Sequence, residues 1–116
     1  MSNQEVRQWY LSQVSKIPFL CEEWTKRGVS AEQCARRAWQ LRHDARLKAR
    51  EMMENPKEVK LLQDRDMKFY GSPDGPTFEF LVEEAGKLGL KGDKMYEAIV
   101  ADSFTTNADI DKKFGA

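Results

Sequence analysis

The sequence contains little of what zinc sites and membrane spans require. Its single histidine and two cysteines do not have the ligand spacing of a zinc site. No apolar run approaches the roughly 18 residues that a bilayer-crossing helix needs. The first ten residues, MSNQEVRQWY, lack the apolar core of a signal peptide. We therefore expect no metal, no cofactor and no membrane contact, in a protein that is cytoplasmic or delivered by a secretion machine without a cleavable signal.

The two cysteines are too few for a disulfide framework. Cys21 and Cys34 could pair in an oxidising compartment, but both fall at apolar positions of expected helices. A cysteine at such a position behaves as a small buried apolar residue. We therefore expect two buried free thiols.

An excess of charge of either sign is also absent, because nineteen basic residues balance nineteen acidic ones. The whole molecule is therefore not expected to attract nucleic acid or an anionic membrane by its net charge. The charges are nevertheless unevenly spread. Residues 36–50 contain six basic side chains and one acid, Asp44, whereas nine acids and five lysines follow from Asp74 onwards. The acid pair Asp64 and Asp66 is expected on a solvated helix face.

Alternating runs of β-branched residues are missing, and apolar residues recur at helical spacing. This pattern predicts an all-α fold: a single compact domain, residues 1–116, of five or six helices around a long central helix at about residues 31–54. The other helices are expected at about residues 3–27 with a break near Pro18, 56–70, 78–88, 94–102 and 108–114. Cap residues indicate the helix ends, with Ser30, Asn55, Thr77, Asp93 and Asn107 at starts and Gly28, Gly71, Gly89 and Gly115 at ends.

The central helix has one face of mostly small apolar side chains. With about 3.6 residues per turn, one stripe is formed by Cys34, Ala38, Leu41, Ala45, Ala49 and Met52. Small side chains allow a neighbouring helix to approach closely. We expect this stripe to be a seam of the core.

The opposite side of the central helix mixes basic and apolar side chains around His43, the only histidine. On one interpretation His43 is a general acid or base while Arg46 and Arg50 hold an anion, because histidine titrates near neutral pH and arginine binds anions through paired hydrogen bonds. On the other, His43 packs against Trp39 and the arginines pair with acids along the helix. The candidate binding residues of this side are Trp39, Leu47, Arg36 and Arg42.

A stiff loop with two prolines, GSPDGPT at residues 71–77, is the second candidate region. Its simplest interpretation is a turn followed by a helix cap. A rigid loop that leads into a helix could also present Asp74, Thr77 and Glu79 toward a ligand. The candidate catalytic residues are therefore His43, Arg46, Arg50, Asp74 and Glu79.

Four phrases of the sequence resemble a known family. They are VRQWYLSQVSKIP, RHDARLKAREMMENP, KFYGSPDGPTFEFLVE and TNADIDKKFG. Together they are similar to C-terminal toxin domains of bacterial polymorphic effectors, which are attached to PAAR-like spike proteins of type VI secretion. The resemblance covers most of the chain. It implies an antibacterial effector that acts inside a competitor bacterium and is neutralised by a cognate immunity protein, but it carries no catalytic signature.

Two functions are open at this point. The first is a toxin-type enzyme, a metal-independent nuclease that would use His43 with neighbouring arginines and an acid on a nucleic-acid substrate. The second is a non-enzymatic helical interaction module, such as an adaptor, an immunity-like protein or a regulator, which would dock partners through Trp39, Leu47 and the basic residues beside them. The chain departs from common nucleases in lacking a paired-histidine motif. It also begins at Met1 without a delivery domain, so that a stand-alone relative and an excised domain are both open, and no oligomeric state is indicated.

Overall fold

The computed structural model describes residues 1–101, and this part of the chain forms six α-helices and no strand. The helices are α1 (Asn3–Val14), α2 (Ile17–Lys26), α3 (Ala31–Met52), α4 (Pro56–Tyr70), α5 (Phe78–Lys87) and α6 (Asp93–Ala101). The all-α fold around a long central helix, α3, is thereby confirmed. The short helix expected at residues 108–114, together with its caps Asn107 and Gly115, lies outside the described residues.

Local capping explains where most helices begin. Ser30, Asn55 and Thr77 occupy the N-cap positions of α3, α4 and α5 with extended backbone. Each side-chain oxygen accepts a hydrogen bond of 3.0–3.2 Å from a backbone amide two or three residues ahead. Gly71 ends α4 in the left-handed conformation, with φ of 73°. These four boundaries agree with the prediction from sequence.

Three other boundaries differ slightly from the prediction. The break in the first amphipathic stretch lies at residues 15–16, and Pro18 is the second residue of α2. A proline is tolerated there because the first amides of a helix have no partner within the helix. The central helix ends at Met52, two residues early, and Asp93 is the first residue of α6 instead of its cap.

The central helix packs against α1, α2 and α6, and α5 packs on α6. Its small residues are buried as expected for a core seam: Cys34, Ala38, Ala45 and Ala49. Two apolar clusters meet along it, one from Ile17, Cys21, Cys34 and Ala38, the other from Ala35, Phe78, Leu81 and Ile99. The placement of Leu41 in the seam was wrong. Leu41 is exposed because it lies at a shallow open groove between α3 and the junction of α1 and α2.

The start of α1 lies beside the end of α3, since the amino group of Met1 donates to Glu54 Oε1 at 3.1 Å. These two helices therefore run in opposite directions. No helix of the described chain approaches α4 as closely as α1, α2 and α6 approach α3. This wider spacing of α4 leaves the groove in which the candidate site lies.

Candidate functional site

The loop at residues 71–77 is fastened along one side of α3 by three hydrogen bonds. The indole Nε1–H of Trp39 donates to the carbonyl oxygen of Pro76 at 2.9 Å. Arg46 Nη1 donates to the carbonyl of Asp74 at 3.4 Å, and Arg50 Nη1 donates to the carbonyl of Pro73 at 2.6 Å. As the donors advance along α3, the loop carbonyls that accept from them move back along the chain, so α3 and the loop run in opposite directions. The aromatic and basic side of α3 therefore holds a loop in place.

Gly75 allows the loop to pass this close to α3. Its backbone φ is +92°, a conformation that residues with a side chain rarely adopt. A Cβ atom at this position would lie 2.6 Å from Cζ of Arg46, well inside van der Waals contact. The Arg46 guanidinium thus fills the space in which a side chain would otherwise stand.

Arg50 and Asp66 form an ion pair that is shielded from solvent. Only 8% of the Arg50 surface and 1% of the Asp66 surface are exposed, and Arg50 Nη2 donates to Asp66 Oδ2. Arg65 Nε lies 3.6 Å from the other carboxylate oxygen. A charge is expensive to bury unless it is paired and hydrogen-bonded. Arg50 therefore joins three parts of the fold, namely α3, α4 and the loop.

The position of Asp66 corrects the expectation of a solvated acid. Its neighbour in sequence, Asp64, is exposed as expected and lies 3.4 Å from Lys60. Asp66 instead follows Val59 and Leu62 at helical spacing on the inner side of α4, which is the signal that could have indicated its burial. An acid in an apolar stripe requires a buried partner. The sequence does not show that this partner is Arg50.

His43 stacks on Trp39. The ring centroids are 4.8 Å apart and the planes differ by 16°. Its Nδ1 atom is buried and has no hydrogen-bond partner among the described residues. The contact with Trp39 is the one predicted by the interpretation in which His43 has a packing role. Trp39 lines a groove between α1, α3 and α4, and His43 is not among the described residues that line it.

The remaining candidate residues are dispersed. Asp74 meets Arg46 through its backbone carbonyl, whereas Glu79 is exposed in the first turn of α5. Arg36 lies over the Phe78 ring, with its Cζ atom 4.5 Å from the ring centroid. Leu47 is half-buried.

The structure thus brings four of the candidate residues together at the loop: Trp39, Arg46, Arg50 and Asp74 through its backbone. Glu79 and Arg36 lie outside this cluster.

A groove of about 870 Å³ opens between α1, α3 and α4. Along α3 its lining extends from Ala38 and Trp39 to the C-cap residue Met53, and α1 and α4 contribute one face each. Apolar and aromatic side chains form much of the surface: Val6, Tyr10, Leu11, Leu61, Leu62 and Tyr70. Leu11 and Leu61 are exposed to solvent, which is unusual for two leucines that line one concavity.

Positive charge is concentrated in this groove. Among the described residues, five arginines line it, Arg7, Arg42, Arg46, Arg50 and Arg65, and they are accompanied by two acids, Glu58 and Asp66. The part of the lining that residues 1–101 form therefore carries an excess of three positive charges, in a chain whose net charge is zero. Trp39, Arg42, Arg46 and Arg50 were candidates from the sequence. The contributions of α1 and α4 were missed, because the residues that line a groove between helices depend on how those helices pack.

The chemistry of the described residues offers no metal centre. No group of three or more His, Cys, Asp or Glu side chains is close enough together within residues 1–101 to hold an ion. Both cysteines are buried free thiols, as expected. Burial raises the pKa of the Cys21 thiol, and the neighbouring Cys34 raises it further. The described part of the chain also has no helix with the length and apolar character of a membrane span.

No family model, curated protein or solved structure matches this chain. The resemblance to effector-associated toxin domains therefore stays a prediction.

Proposed function

We propose that this chain is a non-enzymatic interaction module that binds a partner in the groove between α1, α3 and α4. The observation that carries the proposal is the combination, in one concave surface, of exposed leucines and an excess of arginine. Apolar side chains in a concave surface favour burial of a partner. Charge of one sign selects which partners approach.

The bonding of the α3 side chains favours binding over catalysis. Arg50 is committed to Asp66 and to the Pro73 carbonyl, and Arg46 donates to the loop as well. A catalytic arginine needs donors directed at a substrate, whereas these donors stabilise the fold. The stacked position of His43 outside the groove points the same way.

A photocrosslinking experiment tests the proposal with a matched pair of leucines. Leu61 lines the groove and is 68% exposed, whereas Leu88 lies outside the groove lining at 64% exposure. Each is replaced in turn by the photocrosslinker p-benzoylphenylalanine, in full-length protein expressed in the cells that produce it. We expect a discrete crosslinked partner from position 61 and not from position 88.

The identified partner is then purified and titrated against the protein. Leu61→Asp should weaken binding by about ten-fold or more, because it places a charge in an apolar contact, whereas Leu88→Asp should leave binding unchanged. Equal crosslinking from the two positions, or a partner that binds Leu61→Asp as tightly as the wild type, would contradict the proposal.

The second candidate is the effector-type nuclease, and one observation favours it. Nδ1 of His43 is buried and has no hydrogen-bond partner within residues 1–101, and a buried nitrogen of this kind is uncommon in proteins and is found at functional sites. Expression of the full chain in bacterial cytoplasm should then arrest growth and degrade cellular RNA or DNA. A cognate immunity protein should relieve that arrest when it is co-expressed.

Variants separate this candidate from the first. His43→Ala should abolish the arrest while the circular dichroism of the helices is kept, and Lys48→Ala, at an exposed position on another side of the same helix, should not. Harmless expression at good yield, with intact nucleic acids, would exclude the nuclease.

A further inference from the structure

The groove is long enough to receive a helix. Its lining advances from Trp39 on α3 to Met53, the C-cap residue of that helix, which at 1.5 Å per residue corresponds to about 21 Å. A helix of that length has about four turns. Such a helix presents apolar side chains at every third or fourth position to the surface beneath it.

The apolar residues of the groove occur in pairs that suit a helix. Tyr10 and Leu11 are adjacent on α1, and Leu61 and Leu62 are adjacent on α4. Met53 lies at the end of the α3 lining. Apolar surface is thus offered by all three helices, as in grooves that hold one face of an amphipathic helix.

The arginines of the groove are distributed in the same way. Arg7 lies one turn before Leu11 on α1, and Arg65 lies one turn after Leu61 on α4. Arg42 and Arg46 lie on α3. A single charged head group would be matched by a cluster at one end. Arginines spread along α1 and α3, with Arg65 on α4 offset by Glu58, instead match acids distributed beside an apolar stripe of the partner.

We infer that the occupant of the groove is an amphipathic helix of a partner protein, about four turns long, whose apolar face is flanked by aspartate and glutamate. This inference rests on the proposed interaction function and adds the chemistry of the partner. A single-stranded nucleic acid fits less well, because the Trp39 ring is stacked on His43 and its indole N–H is bonded to the loop.

A pair of peptides tests the inference directly. The first is a labelled helical peptide of about 14 residues, with leucines at every third or fourth position flanked by glutamate. The second is the same peptide with lysine in place of glutamate. In fluorescence anisotropy with the full chain, the glutamate peptide should bind about ten-fold tighter or better, and added salt should reduce the difference.

A matched pair of arginine variants locates the effect. Arg7 lines the groove and Arg27 does not, and both are exposed. Arg7→Glu should remove most of the preference for the glutamate peptide, whereas Arg27→Glu, which changes the net charge equally, should preserve it. The same loss in both variants would overturn the inference, because it would indicate a general effect of net charge.

Further outcomes would also overturn it. These are equal binding of the two peptides, no binding of either, self-association of the chain through the groove, and tighter binding of oligothymidine or of oleate than of the glutamate peptide. If the peptides fail while position 61 still crosslinks to a partner, the interaction function stands and the acidic helix does not. If position 61 also fails to crosslink, the proposed function itself is lost.

Discussion

At the scale of single residues, a buried ion pair joins the two sides of the site, and the sequence alone does not indicate this pairing. Arg50 and Asp66 are far apart in the chain and both belong to residue types that are rarely buried. Together they become the link between α3 and α4. Arg50 was predicted to hold an anion beside His43 as a candidate catalytic residue, but it is buried, and it donates to the Pro73 carbonyl and to Asp66.

Removal of Asp66 should therefore be costly. In Asp66→Ala the Arg50 guanidinium stays buried without its counter-ion, and breaking such a pair costs about 3–5 kcal/mol of unfolding free energy. Asp64→Ala is the control, since Asp64 forms an exposed contact with Lys60, and exposed pairs contribute about 0–1 kcal/mol. Urea denaturation followed by circular dichroism measures both. Similar losses in the two variants would show that the buried pair has no special role.

Gly75 provides a second test at the same scale. Gly75→Ala combines an unfavourable positive φ with an overlap with Arg46. Gly28→Ala has a similar φ of +88° and no atom within 4 Å of the new Cβ, so it reports the backbone strain alone, about 1–2 kcal/mol. We expect Gly75→Ala to lower the melting temperature further than Gly28→Ala does. Arg46→Ala should recover part of that difference, and a failure to do so would contradict the close contact.

At the scale of helices, most boundaries were predictable because capping is local. Ser30, Asn55 and Thr77 each bond to amides within three residues, and Gly71 adopts the left-handed conformation that favours glycine. The side of α3 that the loop covers was not predictable. It depends on hydrogen bonds between residues more than twenty positions apart in sequence, such as Arg50 with the Pro73 carbonyl.

A hydrogen bond between helices gives a prediction for pH dependence. The Tyr96 hydroxyl of α6 donates to Glu32 Oε1 of α3 at 2.8 Å, and this bond, with a smaller contribution from burial, raises the pKa of Tyr96. Since the folded pKa exceeds the unfolded value of about 10, the stabilisation is complete below pH 10 and is lost as the pH rises through the folded pKa. Ultraviolet titration of tyrosinate should show a component, assigned to Tyr96, that ionises late.

Glu32→Ala removes the acceptor and should return this late tyrosine toward the ordinary range. Glu97→Ala, one residue from Tyr96 on an exposed position of α6, should leave the titration unchanged. Identical curves for wild type and Glu32→Ala would contradict the hydrogen bond.

At the scale of the whole molecule, basic and acidic residues are equal in number but unevenly distributed. The chain has no net charge, yet the described residues that line its groove carry an excess of three positive charges. The sequence indicated the basic stretch of α3 and the acid-rich region after it. It did not indicate that Arg7 and Arg65 from other helices join that stretch, because this depends on the packing of α1 and α4 around α3.

The same architecture predicts unequal stability across the fold. The central helix is packed by α1, α2 and α6, whereas α4 is joined to its surroundings by the Arg50–Asp66 pair and by the edge-to-face contact of Tyr70 with Phe80, whose centroids are 5.3 Å apart. Segments with fewer buried contacts open at lower free energy than the core. In hydrogen exchange measured by mass spectrometry, amides of α4 should therefore exchange before those of α3.

Asp66→Ala should accelerate exchange in α4 by about two orders of magnitude, which corresponds to roughly 3 kcal/mol, and should accelerate it less in α2. Asp64→Ala should leave the α4 pattern close to that of the wild type. Because one side of the groove is formed by α4, a peptide bound there should slow exchange in α4 more than in α5. Uniform protection of α3 and α4 in the free protein would show that α4 is as firmly packed as the core, and that the groove does not depend on the buried ion pair.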